Sequence, residues 1–112
     1  MKRTFIIAEI GPNHNGDINI AKSMISSLSK IGVDAVKFQL AIPGNVYSDD
    51  SFKADYQKKN ENSKTPLEMA KRHKLTFDQH LELKSWCIHE KIMYLCTAFD
   101  IESLKFIDKE LN

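Results

Sequence analysis

Cysteine is scarce: Cys87 and Cys96 are the only two in 112 residues, and they form no C-x-x-C pair. Reduced, partly buried thiols among apolar neighbours are the expectation. An excess of one charge is lacking too. Sixteen Lys and Arg against fifteen Asp and Glu leave a net charge of +1, so neither nucleic acid nor an acidic membrane is indicated as a partner. No apolar run approaches the length of a membrane span. Met1, Lys2 and Arg3 lead straight into a short apolar run, without the core and cleavage site of a signal peptide, so a cytoplasmic location is expected. The four histidines, His14, His73, His80 and His89, show no metal-ligand spacing and are read as mostly surface residues. G-P-N-H-N-G lacks the G-x-G-x-x-G phosphate fingerprint, and no internal repeat is visible.

What is present is organised around TFIIAEIGPNHNGD, residues 4–17. Residues 4–10 are too short for a typical helix, rich in Ile and Phe, and bounded by Gly11 and Pro12, as a buried strand would be. Glu9 is the anomaly in that run. Buried alone it would cost several kcal/mol, so it is paired, hydrogen-bonded or facing a wet cavity, or else just clear of the core in solvent. Asn13, His14 and Asn15 follow in a tight loop bracketed by Gly11 and Gly16, and Asp17 is placed to cap a helix. Ile20, Ala21, Met24, Ile25, Leu28 and Ile31 then recur at helical spacing, and Gly32 ends the helix.

A second strand follows at once over residues 33–39, which makes a βαβ unit and predicts a parallel pair. Its side chains alternate: Ala35, Lys37 and Gln39 share one face, Val36 and Phe38 the other. Lys37 in so short an apolar strand points either into an internal cavity or, on an edge strand, into solvent. Residues 40–64 form a long polar excursion, the kind that serves as a binding loop or lid. Thr65 with Glu68 and Thr76 with Gln79 spell two capping boxes; the second opens a helix expected to reach about Lys91. A third strand over residues 92–97 precedes a helix capped by Asp100, with Ile101, Leu104, Ile107 and Leu111 along one side. The fold class is therefore α/β with three parallel βα units. Each strand ends in polar chemistry, and parallel α/β folds build sites at the C-terminal ends of their strands. A small open flavodoxin-like sheet is the other fold compatible with this order.

Lys37 and Gln39 on one strand, Thr97 at the next strand's end and Glu9 across the mouth would suit a small anion beside a hydroxylated substrate. A desolvated Lys37 could instead form a Schiff base, as in an aldolase. The segments IIAEIGPNHNGD, GVDAVKFQ and CTAFD, at this spacing, resemble the N-terminal part of the sialic acid synthase family, with its N-acetylneuraminate, legionaminate and pseudaminate members. The family more often has Ser-Thr-Pro-Phe where this chain has Cys96-Thr97-Ala98-Phe99.

The resemblance implies that residues 1–112 are the first part of a (β/α)8 TIM barrel, with the rest of the barrel and a C-terminal antifreeze-like domain missing. It implies condensation of phosphoenolpyruvate with an N-acylated mannose-type sugar to give a nonulosonic acid and phosphate, aided by a divalent metal, Mn2+ or Mg2+. It carries Glu9 over as a sugar contact, Lys37 as the phosphoenolpyruvate anchor, Gln39 as a neighbour of both substrates and Thr97 as a phosphoenolpyruvate contact. The metal-binding histidines would lie beyond Asn112, and the full-length protein would be a homodimer. On that ground the 112-residue chain is expected to be inactive by itself, and a non-catalytic fragment that only binds a ligand or partner is the third reading.

Overall fold

The computed structural model describes residues 2–46 and 65–111. Most of the polar excursion expected over residues 40–64 lies outside the described residues. Three strands, β1 (Ile7–Glu9), β2 (Ala35–Leu40) and β3 (Met93–Ala98), form one parallel sheet in the order β1-β2-β3. A flavodoxin-like sheet would place the first strand between its successors. The sequential order seen here is that of a barrel, and it removes the flavodoxin alternative.

Helix α1 (Ile18–Lys30) connects β1 to β2; Asp17 caps it by accepting the N–H groups of Asn19 and Ile20 at 2.8 and 3.3 Å. Gly32, at φ +85°, closes it: the Gly32 N–H reaches the Ser29 carbonyl and the Val33 N–H the Leu28 carbonyl, both at 3.1 Å. After β2 comes a single helical turn, α2 (Pro43–Val46), where only a loop was expected. Both capping boxes form, opening α3 (Pro66–Arg72) and α4 (Phe77–His89). α4 stops before Lys91, which at φ +58° closes it as Gly32 closes α1, with the Ile92 N–H on the Cys87 carbonyl at 3.0 Å.

Strand bounds shift slightly from those expected. β1 is confined to three residues because the Ile6 N–H is taken by the Asp34 carboxylate, at 2.8 Å, rather than by a strand backbone. The last helix, α5 (Ile101–Phe106) with a π-helical turn (Ile107–Leu111), buries only part of the line anticipated. Ile101 and Leu104 are 65% and 53% exposed, whereas Ser103 and Leu111 are buried and Phe106 stacks on Phe77 of α4 with ring centroids 4.3 Å apart. Docking on α4 sets the buried side of α5.

The core lies on one face of the sheet. Ala21 and Ile25 from α1, Leu83 and Cys87 from α4, and Val36 and Phe38 from β2 are fully buried together. Burying side chains the size of Phe38 and Ile25 stabilises the fold by roughly 2–3 kcal/mol each. Among the described residues the opposite face, carrying Ile7, Glu9, Lys37, Gln39, Met93 and Thr97, is open: Ile7 and Met93 are about half exposed. No helix of the described residues is long and apolar enough to cross a membrane.

Candidate functional site

The parallel register aligns the polar residues in layers. Glu9 pairs with Lys37 across β1 and β2, and one layer towards the C-terminal ends Gln39 pairs with Thr97 across β2 and β3. All four are on the open face. Lys37 Nζ lies 3.2 Å from Glu9 Oε2, and Gln39 Nε2 donates to Glu9 Oε1 at 3.4 Å and to the Gly11 carbonyl at 3.1 Å. Glu9 thus touches both Lys37 and Gln39, while Thr97 is placed beside Gln39 by the register. The wet open face, not an edge strand, is where Lys37 points, and Glu9 is paired rather than alone in the core.

Gly11 is where the loop after β1 meets β2. A Cβ there would come within 3.2 Å of the Gln39 backbone nitrogen. Gly16, at φ +73°, is pressed against the end of α3: a Cβ would approach the Arg72 carbonyl to 2.7 Å. A cavity of about 390 Å3 opens beside Gln39, with Gly11, His14, Met69, His73 and Phe99 among its walls. That volume is in the range of small-ligand sites. A second cavity, of about 370 Å3, runs between Glu9 and α1. Lys37 borders neither and stands on the open sheet.

Two aspartates tie the loops at the two ends of the sheet; only one of them, Asp100, was singled out in the sequence, and only as a helix cap. Asp100 is more than a helix cap: its carboxylate accepts the Ser103 N–H and hydroxyl at 2.8 and 2.9 Å and also the Ile42 N–H at 2.6 Å, tying the loop after β2 to the loop after β3. Desolvation would push its pKa up, but the Ser103 and Ile42 hydrogen bonds outweigh it and hold the carboxyl below its usual range. Asp34 does the corresponding work at the opposite end of the sheet, where it accepts the Ile6 N–H and pairs with Arg3. The Ile6 bond, against some desolvation and with help from Arg3, lowers its pKa.

The histidine expectation needs correction. His14 and His80 are buried, at 4% and 1% exposure, each beside the Phe38 ring. His80 Nδ1 lies 2.6 Å from the Tyr94 hydroxyl, and Tyr94 stacks on Phe38. Burial, then the neighbouring His14, lowers the His80 pKa to about 4. Burial also lifts the Cys87 thiol to about 12 and the Cys96 thiol to about 11, so neither is a ready thiolate, and both are free as expected. The signal that could have placed His80 is its spacing with Leu83 and Cys87 along α4. Among the described residues no group of three His, Cys, Asp or Glu could hold a metal ion.

The model of the NeuB family matches residues 24–112. The chain belongs to the NeuB family. Among its relatives, the N,N'-diacetyllegionaminic acid synthase of Campylobacter jejuni is 41% identical over 97% of this chain and 33% of that protein. The N-acetylneuraminate-9-phosphate synthase of Mus musculus is 34% identical over 96% of the chain and 30% of that protein. The crystal structure of the N-acetylneuraminic acid synthetase of Leptospira borgpetersenii, in complex with citrate, superposes with a TM-score of 0.75 at 26% identity, over 96% of this chain and 33% of that one. The chain therefore spans about a third of the length of the curated relatives it matches. Its three βα units are the N-terminal part of the TIM barrel of these NeuB relatives.

Proposed function

We propose that this NeuB-family chain supplies the phosphoenolpyruvate anchor and part of the sugar site of a nonulosonate synthase. The observation that carries this reading is the pairing of Glu9 with Lys37 through one carboxylate oxygen and with Gln39 through the other, on the open face at the strand ends. A half-wet ammonium is a point-charge anchor for a carboxylate or phosphate. Its ion pair with Glu9 differs from the apolar pocket that turns a lysine into an amine nucleophile, so the Schiff-base reading finds no support.

In the reaction so assigned, the enol carbon of phosphoenolpyruvate bonds to the aldehyde carbon of an N-acylated mannose-type sugar. Water then adds to the cationic carbon that bears the phosphate ester, and C–O cleavage releases phosphate and leaves a 2-keto acid. Lys37 holds the phosphoenolpyruvate anion throughout. Glu9 accepts hydrogen bonds from sugar hydroxyls, Gln39 is oriented between the substrates by the Gly11 carbonyl, and Thr97 offers a hydroxyl to the phosphoenolpyruvate end. The divalent metal, Mn2+ or Mg2+, that the family resemblance implies finds no ligand set among the described residues, and no step is assigned to it. The two homologues above form, by their names, different sugar acids, so the acceptor is taken only as an N-acylated mannose-type sugar.

The test is phosphate release from phosphoenolpyruvate by the protein expressed from its complete gene, dependent on N-acetylmannosamine or its diacetylated analogue and matched by sugar-acid formation. Borohydride in the presence of substrate should trap no adduct. A covalent adduct on Lys37 would replace this assignment with the aldolase.

A further inference from the structure

Phe38 and Gln39 are neighbours on β2 that point to opposite faces, and the loop after β1 grips both. On the open face the Gly11 carbonyl accepts Gln39 Nε2 at 3.1 Å. On the core face the buried His14 ring sits 6.1 Å from the Phe38 ring. Between the two grips the loop is held by backbone turns: the Asn13 N–H on the Ile10 carbonyl at 2.6 Å, Asn15 on Pro12 and Asp17 on His14, each at 3.0 Å. One tie is of another kind. The Gly16 N–H donates to His14 Nδ1 at 3.0 Å.

A backbone N–H can only donate, so Nδ1 must carry its lone pair and the ring proton must be on Nε2. A protonated imidazole has N–H groups at both nitrogens. It would turn this hydrogen bond into two donors facing each other, on a ring already buried against Phe38.

We propose that His14 is a positioning residue: its neutral Nδ1 holds the loop after β1 closed on the end of β2, and protonation of His14 loosens that loop and with it the Gly11–Gln39 hydrogen bond. The coupling stands on these hydrogen bonds; only its consequence for turnover rests on the assignment of Gln39 to the substrate site. The titratable groups around the cluster are His73 after α3, His80 on α4 and Tyr94 on β3, and Gly16 packs on the Arg72 carbonyl. Burial, followed by the charge of His73, lowers the His14 pKa below its ordinary 6.5. The loop is therefore closed at neutral pH and loosens on acidification.

The experiment follows the imidazole nitrogens of His14, the Gly16 amide and the Gln39 side-chain amide by NMR on labelled protein from about pH 7.5 to about pH 5. At the upper end Nδ1 of His14 should show the unprotonated shift. The Gly16 and Gln39 signals should then move with the His14 midpoint, and Gly16 amide exchange should quicken about tenfold beyond its intrinsic pH dependence. His14→Asn puts an acceptor oxygen where Nδ1 was and cannot titrate. In that variant the Gln39 signals should stay flat over the same range. A Gln39 signal that ignores the His14 titration, or that moves equally in His14→Asn, would overturn the proposal. Wild-type co-titration decides alone if the variant does not fold. No substrate enters either measurement, so failure here leaves the Lys37 assignment untouched, and failure of that assignment leaves this one.

Discussion

Lys37 Nζ and Glu9 Oε2 lie 3.2 Å apart across neighbouring parallel strands, with side chains 40% and 39% exposed. An ion pair this wet contributes only about 0–1 kcal/mol, so a substrate anion can take over the lysine at little cost. Glu9→Gln should therefore leave phosphoenolpyruvate affinity unchanged or up to about fivefold tighter, while raising the Michaelis constant for the sugar. Calorimetry on the variant checks the first part. Weakened phosphoenolpyruvate binding would mean that Glu9 shapes the anion site instead.

Gly16 and Gly32 both have positive φ, but only Gly16 is crowded. At Gly32 a Cβ would meet nothing within 4 Å, whereas at Gly16 it would run into the Arg72 carbonyl. Gly32→Ala should cost about 1–2 kcal/mol from backbone conformation alone. Gly16→Ala should cost more, by the added displacement of α3, and urea denaturation of the two variants reads the difference. Equal losses would show that the loop is not pressed against α3.

Acid should destabilise the protein through His80. Its folded pKa, about 4, is below the ordinary 6.5, so the unfolded chain binds the proton more readily. Above about pH 6.5 the group contributes no pH dependence; the loss grows as pH falls and levels off below about 4, reaching about 3 kcal/mol. His80→Asn retains an acceptor for the Tyr94 hydroxyl and should flatten that part of the curve. Denaturation midpoints at several pH values test this, and an equally steep acid limb in the variant would assign the lability elsewhere.

Asp100→Ala removes the cap of α5 and the tie to Ile42 together, so a loss of about 2 kcal/mol is expected. Asp100→Asn keeps an acceptor and should lose about half as much. Hydrogen exchange should show the Ile42 amide opening in the alanine variant. An Ile42 amide as protected as before would limit Asp100 to its local role.

Much of this was legible from local pattern. Asp17, Thr65, Thr76 and Asp100 declare their helices by side chains that act within three residues, and the alternation around Lys37 placed it with Gln39. The open face was inferable because a lysine in an apolar strand needs water. What stayed hidden is non-local. The bond from Ile42 to Asp100 joins residues 58 apart, and the burial of His14 depends on a loop folding back over Phe38. The side of α5 that is buried depended on where Phe77 would stand, not on the spacing of Ile101 and Leu104.

The central claim is that Lys37 anchors phosphoenolpyruvate, and its most direct test is the affinity of Lys37→Met for that ligand. Methionine keeps an apolar stem on a side chain that is already partly exposed, so thermal stability should change little. Loss of a half-wet charge contact corresponds to the lower end of the expected range, about 2 kcal/mol, or roughly thirtyfold weaker binding by calorimetry. An unchanged dissociation constant in a folded Lys37→Met variant would contradict the account.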